Sequence, residues 1–400
     1  MRKQKRTKKR NKILNKPLQP SRSHLPRGFT LMEVLVGGAI MLVLVLVVLS
    51  LYTGSNRISV DQQQFAALQH DVRSAMFFIS RDVKSVGAGL PQPFAGYFLQ
   101  GVNNDPNQSG ASVQSDRLTI LGNSDPLRLI IQSYAPASGS ITLEPNEFDL
   151  YPYNANAYPA DLLGYVDRAI LILPNPDLDT TSGELGRITG VDLVANTITF
   201  NTINEPLPNT LAPGGAGPSY VGGTVHFVEL KTYWLDVDGN YPGLTVGTNG
   251  YLGLPEVMYV SQWNSASGAY DHLALALNIE DLQFQYLGDL DDNQQLDDNN
   301  ADTTIDINDF LNWDDNFTWT DTPAVVKGIR LVRILVLGKT ENPYVSYSGA
   351  PPTELQYVYG KPVVADSPAG TQMDKRRRFF LESTAGIRNM SLNVYNIGTI

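Results

Sequence analysis

The chain of 400 residues is acidic, with 40 Asp and Glu against 30 Lys and Arg and a net charge of −10. It contains no cysteine, which excludes a disulfide-stabilised scaffold and thiol catalysis. Eleven of the Lys and Arg residues lie in residues 1–28, which contain no acid. Without them 19 basic residues face 40 acidic ones, and this net charge of −21 disfavours binding to nucleic-acid phosphates.

An apolar stretch follows the basic segment directly. Residues 29–51 contain a single ionisable side chain, Glu33, and about 20 apolar residues in a helix cross the hydrocarbon core of a bilayer. We therefore predict a basic leader at 1–28 and a transmembrane helix at 29–54. The positive-inside rule places the N-terminus in the cytoplasm. Because a carboxylate at membrane depth is costly, we expect Glu33 to have a function and a partner.

The helix is predicted to continue beyond the membrane. From Phe65 to Val86 apolar residues recur every three or four positions, which is typical of one buried face of an amphipathic helix. Polar residues fill the other faces, and Gly87, Gly89 and Pro91 end the pattern. We assign residues 55–90 to this amphipathic part and 91–400 to an exported domain.

The junction at Gly28 resembles the N-terminal signal of type IV pilins and pseudopilins. A basic leader that ends in Gly28 is followed by Phe29, Thr30, Leu-Met, Glu33 and a long apolar run. The resemblance implies that a prepilin peptidase cleaves between Gly28 and Phe29 and that Phe29 is N-methylated. It also implies that Glu33 meets a neighbour's new amine during assembly. A plain signal-anchor helix, with no cleavage, is the alternative.

Two further segments narrow the resemblance to PilW-type minor pilins. Residues 80–91, with an Arg-Asp pair before the glycines, are similar to the helix end in that family, and residues 376–392 are similar to its closing strand. The implied fold class is α+β, with a long N-terminal helix packed on an antiparallel β-rich domain. Short β-branched and aromatic runs between Pro, Gly and Asn clusters agree with this fold. They predict strands at 117–121, 127–134, 168–173, 197–201, 224–235, 257–263, 282–287 and 328–338.

An acidic insert at 288–322 contains a pattern typical of a calcium loop. Oxygen-bearing residues fall at positions 1, 3, 5, 7 and 9 of such a loop, the seventh through its backbone carbonyl: Asp289, Asp291, Asn293, Gln295 and Asp297. Leu296 takes the place of the usual apolar plug, and residues 306–311 resemble the helix that follows the loop in dockerin-like modules. Gln294 and Asn300 stand where Gly and a bidentate acid are expected. A solvated acidic loop is therefore the equal alternative, and Ca²⁺ is the one cofactor that the sequence suggests.

Catalytic signatures do not appear in the sequence. The histidines are few and far apart, and there is no zinc-protease motif, nucleophile elbow or phosphate-binding loop. His226 lies in an apolar strand pattern and is expected to be a core residue. We expect no enzyme activity.

These features favour a minor type IV pilin, incorporated in or at the tip of a pilus, that supports pilus assembly and adhesion. The expected partners are the prepilin peptidase, other minor pilins, the major pilin and the inner-membrane assembly platform. The precursor is expected to cross the inner membrane once, and the assembled protein to lie in a periplasmic or cell-surface pilus. Two alternatives stay open: a large minor pseudopilin of a type II secretion system, and a surface-binding adhesin mounted on a pilin helix.

Overall fold

The computed structural model describes residues 29–91, 98–105, 115–135, 139–145, 165–178, 183–192, 194–202, 220–237, 239, 256–264, 269–289, 295–299, 301, 304–313, 326–341, 363–365, 367 and 376–387. The chain divides into two compact units, Met1–Ile58 and Ser59–Ile400. Gly28, Asp291, Asn293 and the predicted loop at 146–160 lie outside the described residues.

The first element is the long helix α1, Leu31–Lys84. The prediction of one helix through both apolar patterns is therefore confirmed, with its end at Lys84 rather than at Val86. In the first unit its apolar side chains are exposed. In the second unit five residues of the predicted stripe are buried, because their spacing of three and four places them on one face: Leu68, Val72, Met76, Ile79 and Val83. Ala75, which the prediction did not include, is buried beside them.

The second unit is built from twelve described strands, all paired antiparallel. They are β1 Leu99–Val102, β2 Arg117–Ala135, β3 Ser140–Leu143, β4 Ala169–Leu173, β5 Glu184–Asp192, β6 Thr197–Thr202, β7 Thr224–Asp236, β8 Val257–Asn264, β9 Ala269–Leu277, β10 Ile279–Gly288, β11 Ile329–Lys339 and β12 Arg378–Gly386. The α+β class is confirmed: α1 packs its second half on an antiparallel β-rich domain.

Nine strands form one sheet, in the order β1-β2-β3-β6-β5-β4-β7-β8-β9. Because β2 also pairs with β7, six of them (β2, β3, β6, β5, β4 and β7) close a circuit. A separate apolar cluster belongs to this circuit, with Ile131, Ile141, Ile170, Ile188 and Phe227 among its buried members. The β-rich domain therefore has a second core besides the one under α1.

The main core lies between α1 and the strands. The remaining three strands form a sheet in the order β10-β11-β12, and α1 approaches it closely at Gly338. A Cβ at Gly338 would lie 2.6 Å from Leu68 Cδ1 and 2.8 Å from Val72 Cγ2, so only glycine fits without a shift. The edge strand β12 meets the helix as well, since Asp61 pairs with Arg377 just before the strand, at 2.9 Å.

Two local predictions are wrong in detail. The strands predicted at 117–121 and 127–134 are one strand, β2, because β7 pairs with both parts across an irregularity between Asn123 and Arg128. The helix predicted at 306–311 is only a 3-10 turn, Ile307–Asp309. Leu311 then pairs with Tyr286 of β10 in an antiparallel bridge, which stops the turn from growing into a helix.

Candidate functional site

The start of α1 is closed by a capping box. Glu33 Oε2 accepts hydrogen bonds from the Thr30 backbone N–H at 2.9 Å and from Thr30 Oγ1 at 3.0 Å. Thr30 Oγ1 in turn accepts from the Glu33 backbone N–H at 3.3 Å. The pair satisfies amide donors that a helix start leaves without partners. The Thr-x-x-Glu spacing in the sequence is the signal that could have predicted this second role for Glu33.

The side chains of the apolar first half of α1 are exposed on all faces of the helix. Phe29 is 87% exposed, and the large apolar side chains from Leu31 to Tyr52 are exposed too. One helix among the described residues, α1 itself, is long and apolar enough to cross a membrane, with a mean hydropathy of 3.0 in its most apolar window. That window has no buried part, so its apolar surface is exposed along its whole length.

The end of α1 is tied to β7 by a buried carboxylate. Asp82, 5% exposed, accepts hydrogen bonds from Arg81 Nε at 2.8 Å, Lys231 Nζ at 3.0 Å and Tyr233 OH at 2.7 Å. Lys231 also pairs with Glu229 at 3.0 Å. The Arg-Asp pair in residues 80–91 thus fixes how α1 sits on the strands.

The protonation of this cluster follows from its contacts. Burial alone raises the pKa of the Asp82 carboxyl, but hydrogen bonds from Arg81, Tyr233 and Lys231 outweigh burial and leave that pKa below its usual value. Burial together with the Asp82 charge raises the pKa of the Tyr233 hydroxyl. Asp82 is therefore ionised and Tyr233 neutral at neutral pH.

The described part of the acidic insert packs on the end of the three-stranded sheet. Leu296, half-buried, lies against a cluster that includes Leu287, Phe310 and Leu331. Asp289 is buried, and Asp297 donates its backbone N–H to Gly288 O at 2.9 Å. Among the residues that the structure describes, no three His, Cys, Asp or Glu side chains are grouped to hold a metal ion.

Of the predicted calcium ligands the structure describes Asp289, at the start of the loop, and Gln295 and Asp297, in its second half. Asp309 is buried and completes a capping box with Asp306, whose backbone N–H it accepts at 2.7 Å. The Asn299 side-chain amide donates to Asp309 O at 2.7 Å, which holds the returning chain beside the turn. These hydrogen bonds hold Asn299 against the turn at residues 306–309.

His226 and His272, the two histidines that lie on strands, make their contacts within the fold. His226 is buried beside Thr224 Oγ1, at 2.9 Å from Nε2, and burial lowers its pKa to about 4, with a smaller effect from Arg128. His272 Nδ1 lies 2.7 Å from Ser261 Oγ, a contact between residues 11 positions apart. Ser261 is 5% exposed, and its Oγ accepts from Trp234 Nε1 at 2.6 Å. Because this Oγ is buried and engaged, the pair is a packing contact rather than an accessible nucleophile.

No family model matches the chain, and no curated protein sequence matches it. One similar solved structure is described as a type IV-like pilin from Thermus thermophilus, with 10% identity and a TM-score of 0.20. The match covers 59% of this chain and 95% of that one. At such a TM-score the likeness supports no argument, so the interpretation below depends on the contacts and motifs of this chain.

Proposed function

We propose that this protein is a PilW-type minor pilin, cleaved between Gly28 and Phe29 by a prepilin peptidase and incorporated in or at the tip of a type IV pilus. The observation that carries the proposal is the start of α1. An exposed apolar segment begins at Phe29 and contains one carboxylate, that of Glu33, four residues further on. Such an apolar helix needs lipid around it before assembly and neighbouring helices around it afterwards, since its apolar surface is unfavourable in water.

The capping box leaves one carboxylate oxygen of Glu33 for a second partner in this proposal. Both hydrogen bonds to Thr30 use Oε2. Cleavage after Gly28 leaves the Thr30 amide intact and creates a new amine on Phe29. The Oε1 atom of Glu33 would then meet the amine of a neighbouring subunit. Removing one partner of an ion pair in an apolar bundle is costly. The pair would therefore select the correct register between neighbouring helices rather than add stability.

The partners and location follow from this role. They are the prepilin peptidase, other minor pilins, the major pilin and the inner-membrane assembly platform. The eleven basic residues of the leader keep the N-terminus cytoplasmic, and the β-rich domain is exported. The role is structural and not catalytic. The pseudopilin alternative shares every feature of α1, and the adhesin alternative predicts binding of glycans or surfaces by purified residues 92–400.

We also propose that the loop from Asp289 to Asn300 binds one Ca²⁺. The observation in favour is that Leu296 packs on the apolar cluster around Leu287, while the backbone N–H of Asp297 donates to the carbonyl of Gly288, the residue before Asp289. Carboxylate and carbonyl oxygens at this spacing suit a hard cation.

Three variants separate the cap from the ion pair. Glu33→Ala loses both, and Glu33→Gln keeps an acceptor for Thr30 but loses the charge. Thr30→Ala keeps the charge and the backbone hydrogen bond to Glu33 but loses both hydrogen bonds of the Thr30 hydroxyl. All three should be cleaved. Recovery in sheared filaments should fail for both Glu33 variants and persist for Thr30→Ala. Normal recovery of Glu33→Gln would show that Glu33 acts only as a cap.

A further inference from the structure

The strand β12 has a second edge to which no other strand pairs among the described residues. It pairs with β11 on its first edge and ends the sheet β10-β11-β12. The backbone N–H of Ile387 donates to Arg330 O at 2.9 Å, and the register with β11 continues from there through β12 without a shift. Because bonding alternates along an antiparallel strand, the odd-numbered residues bond to β11. The even-numbered residues direct their backbone groups to the second edge, which we call the open edge: Phe380, Glu382 and Thr384 are among them.

The two faces of β12 have different surroundings. Ala385 and Ile387 are buried in the core under α1. Phe379 and Leu381, on the same face, are partly buried against that core. Phe380, on the opposite face, is 42% exposed. A row of backbone N–H and C=O groups at a sheet edge is a template for a further strand. A strand that fits the open edge therefore needs apolar residues at alternate positions, beside the buried face of β12.

The sequence that follows β12 has this alternation. Residues 388–400 come directly after the last described residue, Ile387, and lie outside the described residues. Within them, the apolar Leu392 and Val394 alternate with polar residues. The strand β12 has nine residues, and a two-residue turn at 389–390 leaves nine more, 391–399, to return beside it. The segment therefore has both the length and the pattern that the open edge requires.

We propose that residues 391–399 return antiparallel along the open edge and form a fourth strand of this sheet. The short connection selects this segment over a strand from a second copy, because a two-residue turn orders little chain and needs no second molecule. Asn389 begins that turn, and asparagine tolerates the positive φ that two-residue hairpin turns require. The inference goes beyond the proposed function, because it needs neither cleavage after Gly28 nor the Glu33 ion pair.

The hydrogen bonds of β12 set the register of the returning strand. Ile387 already bonds to β11, so it does not form the hydrogen-bonded pair that closes a two-residue turn. The tightest return is therefore a turn at 389–390, which places Leu392 opposite Ile387. Val394 then lies opposite Ala385. Both apolar side chains extend the core under α1, and the polar residues between them face away from it.

Disulfide trapping tests this register without background, since the chain contains no cysteine. Ser383 lies opposite Asn396 in the proposed register, in a pair without mutual hydrogen bonds, whose Cα atoms lie about 4.5 Å apart. The double variant Ser383→Cys with Asn396→Cys can therefore form a disulfide. The matched control is Ser383→Cys with Tyr395→Cys, because Tyr395 would point to the opposite face of the sheet. The full-length, detergent-solubilised variants are oxidised and digested with trypsin, which cuts between the two positions at Arg388.

The proposal predicts disulfide-linked peptides from the Asn396→Cys variant, well above those from the Tyr395→Cys control, in a protein that runs as a monomer on a non-reducing gel. Equal linkage in the two variants would overturn the proposal. A disulfide-linked dimer would overturn it as well, because the segment would then pair with a second copy. Cleavage at Phe29 is scored separately, so failure here leaves the proposed function standing.

A second pair of variants tests the same strand without cysteines. Val394→Asp should lower the melting temperature of the full-length protein by several degrees, because it places an unpaired charge beside the core under α1. Asn393→Asp is the matched control, since that side chain would face away from the core, and it should leave the melting temperature unchanged. Equal melting temperatures for the two variants would contradict the proposed strand.

Discussion

Replacing Asp82 by alanine should destabilise the β-rich domain by about 3–5 kcal/mol, the cost of removing one partner from a buried charge pair. Asp82 is 5% exposed and accepts hydrogen bonds from Arg81, Lys231 and Tyr233. The variant would leave the Tyr233 hydroxyl without this acceptor and Lys231 with Glu229 as its remaining carboxylate. Tyr233→Phe removes one hydrogen bond to a charged group and should cost less, about 1.5–3 kcal/mol.

The assay is urea unfolding of the detergent-solubilised protein, followed by the fluorescence of its four tryptophans. Asp71→Ala is the matched control, because Asp71 is an acid of the same helix that faces outward; it should cost less than about 0.5 kcal/mol. The double variant Asp82→Ala with Tyr233→Phe should cost less than the sum of the two, since both remove the same contact. A loss for Asp82→Ala no larger than that for Asp71→Ala would refute the role of this cluster in tying α1 to β7.

Three further predictions concern processing, metal and pH. Gly28→Val should block cleavage, because the peptidase must approach an extended backbone without a side chain. An immunoblot should then show full-length precursor in the membrane. Normal cleavage would contradict the pilin hypothesis. Asp291→Ala with Asp297→Ala should abolish any rise in melting temperature that calcium produces, and a wild-type protein that melts identically in calcium and in chelator has no site. His226 has a pKa of about 4 in the fold, so its unfolded form, with a pKa of about 6.5, binds the proton first as pH falls. Stability should therefore be complete above about pH 6.5 and decline towards pH 4, by at most about 3 kcal/mol, and His226→Phe should flatten that part of the curve; an equal slope in the variant would assign the pH dependence to other groups.

The helix was predictable because its signal is local and repeated. Residues 65–86 keep one spacing over six turns, and residues 29–51 are apolar almost throughout. The clearest strands, β7 and β11, were also predictable, since their β-branched and apolar runs are bounded by glycines. Strands such as β9 (Ala269–Leu277) were missed, because its Ala and Leu residues carry no clear strand preference and its pairing with β8 supplies the order.

The tertiary contacts lay beyond the sequence. Asp82 and Lys231 are 149 residues apart, so no local pattern relates them. The turn signals at 122–126 predicted a break in β2, but pairing with β7 on both sides keeps the strand whole. The closed circuit of six strands also depends on that long-range pairing. Of the candidate site, the sequence indicated Phe29 and Glu33 from the motif, whereas the tie at Asp82 became visible only in three dimensions.

The most direct test of the proposed function is mass spectrometry of the N-terminal peptide from protein isolated in its native membrane. We predict a peptide that begins at Phe29 and carries one added methyl group. An intact N-terminus that retains the eleven basic residues of the leader would contradict it. The helix would then be a static anchor, and the assembly role of Glu33 would fall with the cleavage.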